Sequence, residues 1–162
     1  MTDPAAVIAQ VLDGAGLDYT SPGPGQFFVV LPGTHKLATN CWLVVGAHAL
    51  LVEAFVVRRP DENAAEFQAF LLRRNARMYG MAFACDPNGD VYLVGRVPLS
   101  SVTADEVDRL LGCVLEYADG AFDPLLELGF ASSIRREWAW RAKNGESLAN
   151  LAAFARFADP SR

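Results

Sequence analysis

The fold is decided by the stretch from Glu66 to Val97, whose sequence is EFQAFLLRRNARMYGMAFACDPNGDVYLVGRV. Its second half alternates apolar residues on both sides of Asp86-Pro87-Asn88-Gly89-Asp90, and proline and Asn-Gly in such a segment are typical of a tight turn. Its first half has arginines on one arc and apolar residues at helical spacing on the other, namely Phe67, Phe70, Leu71 and Met78. The stretch therefore predicts an amphipathic helix followed by a two-stranded antiparallel hairpin.

Three further strands are predicted before this stretch, over residues 26–31, 39–46 and 50–58. In the third of them Glu53 lies on one face, and the opposite face is uniformly apolar, with Leu50, Val52, Ala54 and Val56. That alternation is typical of a sheet with one buried side. The segment 18–25 is rich in proline and glycine and is predicted to be a connector.

Helices are predicted at both ends of the chain. The first spans residues 4–15, and a long one starts after the hairpin, where Thr103 and Glu106 form a capping box. Asp119-Gly120 is expected to end this long helix, and residues 122–130 to resume it as a kinked segment after Pro124. Residues 132–141 are predicted to be a helix from the spacing of Ile134 and Trp138, although Trp138 and Trp140 also suit a strand. Another helix is predicted from residue 148 to residue 155, beyond a break at Asn144-Gly145.

The order of these elements is α-β-β-β-α-β-β-α, followed by the C-terminal helices. Strands do not alternate with helices one for one, as a doubly wound parallel sheet requires. We therefore expect an α+β fold in which an antiparallel five-stranded sheet carries its helices on one face. Residues 1–143 are expected to form a single domain, and residues 144–162 a C-terminal helical tail.

Composition and charge exclude several classes of protein. The chain has 162 residues, of which 52% are hydrophobic and 20% charged, as in an ordinary globular domain. A net charge of −5 argues against a general nucleic-acid binder and against docking on an anionic membrane. The three cysteines are widely spaced and contain no CxxC pair, so we interpret them as free thiols in a reducing cytoplasm. No apolar segment is long enough to span a membrane, and no secretory signal is visible.

A resemblance to a known family is carried by three segments, WLVVGAHALLVEAFVVRRPDEN (Trp42–Asn63), YGMAFACDPNGDVYLVGRVPL (Tyr79–Leu99) and DRLLGCVLEYADGAFDPLLELGFASSIRREWAWR (Asp108–Arg141). Together they are similar to the YbjN family of bacterial proteins, particularly its actinobacterial branch. The resemblance implies a type III secretion chaperone-like fold and a role as a sensory-transduction regulator. The secretion chaperones of this fold dimerise and hold partner polypeptides. The resemblance implies no enzymatic activity.

The candidate binding residues are concentrated between residues 132 and 141. Arg and Trp dominate hot spots of protein interfaces, so this segment is predicted to bind a partner through Arg135, Arg136, Trp138, Trp140 and Arg141. In the alternative interpretation the tryptophans cover the sheet, and the arginines pair with nearby acids such as Glu137. Aromatic and basic residues also suit single-stranded nucleic acid, but the net negative charge disfavours that partner.

Other residue groups give weaker hypotheses. His35, His48 and Cys41 lack the repeated pair spacing of a zinc site, so no metal is expected there. Asp119, Asp123 and Glu127 follow one another at a spacing of four residues, which is consistent with paired carboxylates, with ligands of a hard cation or, as we favour, with the solvated face of a helix. No nucleophile-elbow pattern surrounds Ser132-Ser133. We expect no catalytic residue, no cofactor and no metal.

Two functions remain open from the sequence. The leading hypothesis is a non-enzymatic, chaperone-like regulatory domain of the cytoplasm, which captures a partner protein or peptide as a homodimer. The alternative is a small-molecule-sensing domain with an apolar pocket between the sheet and the helices. Neither nucleic acid nor a membrane is expected as a partner.

Overall fold

A computed structural model describes residues 2–162 of the chain. The helices are α1 (Pro4–Gly14), α2 (Ala64–Asn75), α3 (Ala104–Asn144) and α4 (Ala155–Ala158), with short 3₁₀ helices at Leu99–Ser101 and Ala149–Phe154. The strands are β1 (Asp18–Thr20), β2 (Gln26–Pro32), β3 (Ala38–Val45), β4 (Ala49–Val57), β5 (Ala82–Cys85) and β6 (Val91–Pro98). The expected α+β class is confirmed, and the three predicted strands 26–31, 39–46 and 50–58 agree with β2, β3 and β4 to within one residue at each end.

The strands form one antiparallel sheet in the order β1-β2-β3-β4-β6-β5. The predicted count of five strands is wrong, because residues 18–20 of the expected connector pair with β2 as a sixth strand. Tyr19 holds this short edge strand: its ring lies 6.1 Å from that of Phe27, and its hydroxyl donates a 2.8 Å hydrogen bond to Asp13. Three residues are too few for an alternating pattern to be visible in the sequence.

One face of the sheet is buried and forms the core together with the helices. On β4 the side chains of Leu50, Val52, Ala54 and Val56 are buried, as the alternation predicted. The same core cluster includes Ile8 and Leu12 of α1, Phe67 of α2 and the apolar stripe of α3. On the opposite face of β4, Leu51 and Glu53 are partly exposed and Phe55 is exposed.

The end of β4 departs from a regular ladder in two ways. The pairing of β4 with β6 shifts register between Phe55 and Val57, and such a bulge bends a strand. The pairing of β4 with β3 stops at Cys41 and Ala54, although β3 stays paired with β2 as far as Ala38. The two strands therefore diverge beyond Ala54, and the β3 side of residues 55–57 is left without a neighbouring strand.

Helix α3 runs through Asp119-Gly120, so the predicted break there is wrong. A glycine inside a helix costs only about 1 kcal/mol relative to alanine. Here Ala118, Ala121 and Leu125 continue the buried stripe on both sides of it, and packing outweighs that cost. Pro124 also lies inside the helix, and the backbone leaves helical geometry only at Phe130, with φ −138° and ψ 15°. The kink is thus six residues beyond the proline that was expected to cause it.

The loop between β4 and α2 holds this kink. The carbonyl oxygen of Gly129 accepts hydrogen bonds from the backbone N–H groups of Asp61 and Glu62, at 3.0 and 3.2 Å. The carboxylate of Glu62 in turn accepts from the backbone N–H and the hydroxyl of Ser132, at 2.7 and 2.9 Å. Glu62 therefore caps the helical segment that resumes after Phe130, in the manner of an N-cap.

Two further predictions need correction. Helix α2 ends at Asn75, so Met78 lies outside it, and Gly80 with φ +69° turns the chain into β5. The last predicted helix is mostly a 3₁₀ helix, and only residues 155–158 are α-helical. The helix predicted over residues 132–141 is part of α3, and the break at Asn144-Gly145 occurs where Gly145 has φ +68°.

Candidate functional site

An apolar groove of about 590 Å³ lies where β3 and β4 diverge, and we call it the β4–α3 groove. Its walls come from the end of β4, from α3 and from one residue of the C-terminal 3₁₀ helix. The apolar residues that line it are Phe55, Val56, Val57, Phe122, Leu126, Phe130, Ile134 and Leu151. The polar residues are Lys36, Arg58, Ser133 and Glu137. A volume of this size is within the ordinary range for small-molecule sites.

The loop between β2 and β3 closes one side of the groove, and Asp119 fixes that loop. One carboxylate oxygen of Asp119 accepts hydrogen bonds from three successive backbone N–H groups, those of Thr34, His35 and Lys36, at 3.0, 2.9 and 2.9 Å. A Cβ atom on Gly33 would lie 2.2 Å from the carbonyl oxygen of Lys36, so the loop requires glycine there. The backbone of the loop is therefore held in one conformation, and this conformation sets the direction of the Lys36 side chain.

Lys36 places its ammonium group at the groove. Its Nζ donates 2.9 Å hydrogen bonds to the carbonyl oxygens of Phe55 and Val56, which lie beyond the last β4 residue that pairs with β3. The same atom lies 5.2 Å from the ring centre of Phe55 and 5.8 Å from that of Phe122, within the range of cation–π attraction. Burial lowers the pKa of Lys36, and the nearby Asp119 opposes this effect.

The second cation of the groove, Arg58, is already paired. Its guanidinium donates to both carboxylate oxygens of Asp61, at 2.8 and 3.1 Å, and lies 4.4 Å from the ring centre of Phe130. Hydrogen bonds from Arg58 and then from Ser133 lower the pKa of Asp61 to about 2. Glu137, the acid of the groove, is likewise engaged, since it accepts a 2.6 Å hydrogen bond from Arg141.

A second surface is the side of the sheet that faces away from the core, which we call the open face. Two aromatic pairs lie on it: the rings of Phe28 and Trp42 are 4.9 Å apart, and those of Phe55 and Tyr92 are 5.5 Å apart. Trp42 is 37% exposed and Phe55 38% exposed. The open face also includes Val30, Val44, Leu51, Glu53, Val94 and Arg96 and, through their pairing with these strands, Asp18, Thr20, Gln26, Asn40, Ala82 and Ala84.

Two charged residues of the open face, Glu53 and Arg96, lie on neighbouring strands. Leu51 pairs with Arg96 and Glu53 with Val94, so Glu53 and Arg96 are diagonal neighbours. Neither takes part in an ion pair among residues 2–162. The open face is thus an apolar and aromatic surface that carries Glu53 and Arg96 on β4 and β6 and Asp18 on the edge strand β1.

The predicted binding segment 132–141 is spread around α3. Trp138 is 8% exposed and belongs to the core cluster, whereas Trp140 is 55% exposed. Arg135 and Arg141 face the C-terminal tail, where they donate to the carbonyl oxygens of Phe157 and Ser147 at 3.1 and 3.0 Å. Arg136 donates to the hydroxyl of Ser133 at 3.0 Å. The segment therefore presents Arg136 and Trp140 to solvent, one helical turn apart.

The other sequence candidates have structural partners. Asp119 holds the β2–β3 loop, Asp123 lies 2.8 Å from His35 Nδ1, and Glu127 pairs with Arg156. Residues 2–162 contain no group of three or more His, Cys, Asp or Glu side chains placed to hold a metal ion. Within the same residues, no helix is both long and apolar enough to cross a bilayer.

Sequence analysis expected an apolar pocket between the sheet and the helices but did not locate it. Lys36 falls in a segment predicted only as a loop, and nothing in its local sequence indicates that it reaches β4. The open face was partly visible, because Glu53 marked the solvent side of β4 and Phe55 shares that side. An aromatic residue at such a position is a usable signal for a contact surface.

The fold is similar to that of chains in two solved complexes. A chain of the ExsC–ExsE complex superposes with a TM-score of 0.55 at 20% identity, over 75% of this chain and 92% of that one. A chain of the HopA1–SchA chaperone–effector complex gives a TM-score of 0.53 at 13% identity, over 71% of this chain and 89% of that one. The expected type III secretion chaperone-like fold is confirmed by these likenesses.

Relatives in mycobacteria cover most of the chain. An uncharacterized protein of Mycobacterium tuberculosis is 55% identical over 154 residues, which cover 92% of this chain and 84% of that protein. An uncharacterized protein of Mycobacterium leprae is 48% identical over 159 residues, which cover 95% of this chain and 86% of that protein. Residues 4–127 match the YbjN family, described as "Putative bacterial sensory transduction regulator". The chain therefore belongs to the YbjN family, as the resemblance of its sequence led us to expect.

Proposed function

We propose that this chain is a non-enzymatic protein-binding domain that forms a homodimer and captures a partner polypeptide. The observation that carries the proposal is the open face, an aromatic and apolar side of the sheet that no helix of residues 2–162 covers. Exposed apolar patches of this kind often mark the sites at which proteins bind one another. The three free cysteines are consistent with action in the reducing cytoplasm.

The chemistry of the open face suits a protein contact. Trp42 and Phe55 supply large, rigid anchors, and Trp is among the residues enriched in interface hot spots. Glu53 and Arg96 supply opposite charges that a two-fold partner copy could meet with the same two residues, which is the self-complementarity of an isologous interface. Complementary charges of this kind set the register of a contact.

Two more observations support the proposal. Both solved structures described above are complexes of two proteins, and one of them is named as a chaperone and its effector. The exposed Trp140 and Arg136 on α3 offer a separate contact surface. We therefore propose that the segment containing Arg135, Arg136, Trp138, Trp140 and Arg141 contributes to partner capture through these two members.

A matched pair of variants tests the open face. Trp42→Lys places a cation opposite Glu53, its cross-strand partner, so the sheet is preserved while the apolar anchor is lost. Leu72→Lys makes the same kind of change on α2, where Leu72 is 70% exposed. Multi-angle light scattering measures the mass of each variant, and affinity capture from native extract with mass spectrometry identifies bound proteins.

We expect the wild-type chain and Leu72→Lys to have the mass of a dimer and to retain the same captured protein. Trp42→Lys should be a monomer, or should lose the captured protein. A wild-type chain that is monomeric and enriches no protein would contradict the proposal. If the two lysine variants changed the mass and the captured protein equally, the open face would not be the contact surface.

A second candidate function, small-molecule sensing, is favoured by a different observation. The β4–α3 groove is apolar, of ordinary ligand-site volume, and contains the ammonium group of Lys36. A ligand that binds only the native state must raise its stability. A thermal-shift screen of metabolites tests this candidate, and a ligand should raise the melting temperature of the wild-type chain.

A further inference from the structure

We infer that the β4–α3 groove binds a medium-chain carboxylic acid, with the alkyl chain between β4 and α3 and the carboxylate on the ammonium group of Lys36. The inference rests on small-molecule sensing as the function of the groove, and it names the chemical class of the ligand. It does not depend on the binding of proteins at the open face.

The walls of the groove fit an alkyl chain. Val56 and Val57 from β4 line the groove together with Leu126, Phe130 and Ile134 from α3, and β3 does not pair with β4 beyond Ala54. Burial of the apolar surface of a ligand in such a space favours binding. Few polar groups line the groove, so selectivity must come from one end of the ligand.

The ammonium group of Lys36 supplies that end. An ammonium group has three N–H donors, and two of them are used by the carbonyl oxygens of Phe55 and Val56. The third remains for a ligand. Because the backbone of Lys36 is fixed by Asp119, the group is held in place before any ligand arrives, which lowers the entropic cost of binding.

The charge balance of the groove selects an anion. The guanidinium of Arg58 is paired with Asp61, and the carboxylate of Glu137 is paired with Arg141. No carboxylate of residues 2–162 lies within 4 Å of Lys36 Nζ. Lys36 is therefore the cation of the groove that lacks a direct counter-ion, and a carboxylate would form a charge-assisted hydrogen bond with it.

The chain offers a matched control, since Lys36 and Lys143 are its two lysines and Lys143 is exposed at the end of α3. Isothermal titration calorimetry on the delipidated full chain compares dodecanoate with dodecan-1-ol, which has the same alkyl chain and no charge. The variants are Lys36→Met, which keeps an unbranched apolar stem, Lys143→Met, and Leu126→Trp, which fills the groove. Circular dichroism checks that each variant is folded.

We expect dodecanoate to bind the wild-type chain and Lys143→Met with the same affinity, roughly tenfold or more above that of the alcohol. Lys36→Met should lower the affinity for dodecanoate to that for the alcohol, and Leu126→Trp should abolish the binding of both. If Lys36→Met does not fold, the affinities of the wild-type chain for the acid and the alcohol still show whether the groove recognises a carboxylate.

Equal affinities of the wild-type chain for the acid and the alcohol would overturn the recognition of an anion but leave the groove as an apolar site. Equal losses in Lys36→Met and Lys143→Met would also overturn it. Binding that survives Leu126→Trp would place the ligand elsewhere. Failure of both probes to bind would overturn the inference, while a metabolite of another class found by thermal shift would keep small-molecule sensing.

Discussion

Asp119 and Lys36 are 83 residues apart in the sequence, and the backbone N–H of Lys36 donates a 2.9 Å hydrogen bond to Asp119 Oδ1. The same oxygen accepts from the N–H groups of Thr34 and His35. A single carboxylate on α3 thus fixes the loop that delivers an ammonium group to the β4–α3 groove. The residue expected to end the helix instead attaches the helix to the sheet.

Asp119→Ala should destabilise the chain by about 1–3 kcal/mol, because three backbone donors lose a charged acceptor. Urea denaturation followed by circular dichroism measures the free energy of unfolding. Asp108→Ala is the control, since Asp108 lies on an exposed part of the same helix, and its effect should stay within about 0.5 kcal/mol. Equal effects of the two variants would mean that the loop is not held by Asp119.

Gly129→Ala and Gly112→Ala should change stability in opposite directions. A Cβ atom on Gly129 would lie 2.7 Å from Pro60 Cβ and 2.9 Å from Phe67 Cδ2, so overpacking should cost about 1–3 kcal/mol. A Cβ atom on Gly112 meets no atom within 4 Å, and alanine should stabilise the helix there by about 1 kcal/mol. The same denaturation measurement checks both, and a stable Gly129→Ala would mean that α2 and α3 pack less closely than described.

Asp61 should make stability depend on acid pH. The Arg58 guanidinium lowers the pKa of Asp61 from 3.8 to about 2, so the folded state binds this proton less tightly than the unfolded state. The contribution of Asp61 is therefore fully present above about pH 4 and is lost as the pH falls towards 2. Carboxyl NMR should give a midpoint near 2.

The Arg58→Gln variant should raise the midpoint of Asp61 towards 3.8, its ordinary value. Asp61→Asn should show a smaller loss of unfolding free energy between pH 4 and pH 2 than the wild-type chain. Asp108→Asn serves as the control for the removal of an exposed carboxylate. An unchanged Asp61 midpoint in Arg58→Gln would contradict the pairing of the two side chains.

The cysteines should differ in their reactivity in the native state. Burial raises the pKa of Cys41 to about 12, so at pH 8 roughly one thiol in 10,000 is ionised. Cys85 is exposed and should react with iodoacetamide while the chain is folded. Peptide mass spectrometry after timed labelling should find Cys41 modified only in denaturant, and rapid native labelling of Cys41 would contradict its burial under the sheet.

Much of the sheet could be predicted from the sequence. The alternation around Glu53 identified both sides of β4, and the turn chemistry of residues 86–90 located the hairpin of β5 and β6, because these patterns depend on neighbours along the chain. The edge strand β1 was missed because its pairing depends on β2 and on the contact of Tyr19 with Phe27. The kink at Phe130 was placed at Pro124 because local rules take no account of Gly129 accepting bonds from residues 61 and 62.

By itself the sequence determined the class of fold, the buried face of β4 and the family, since periodicity and turn residues are properties of short segments. The tertiary structure alone decided that β3 and β4 part at Ala54 and that Lys36 reaches β4 through the gap. It also decided that Trp138 is buried and Trp140 exposed. These features depend on contacts between residues up to 85 positions apart, and no local pattern specifies such contacts.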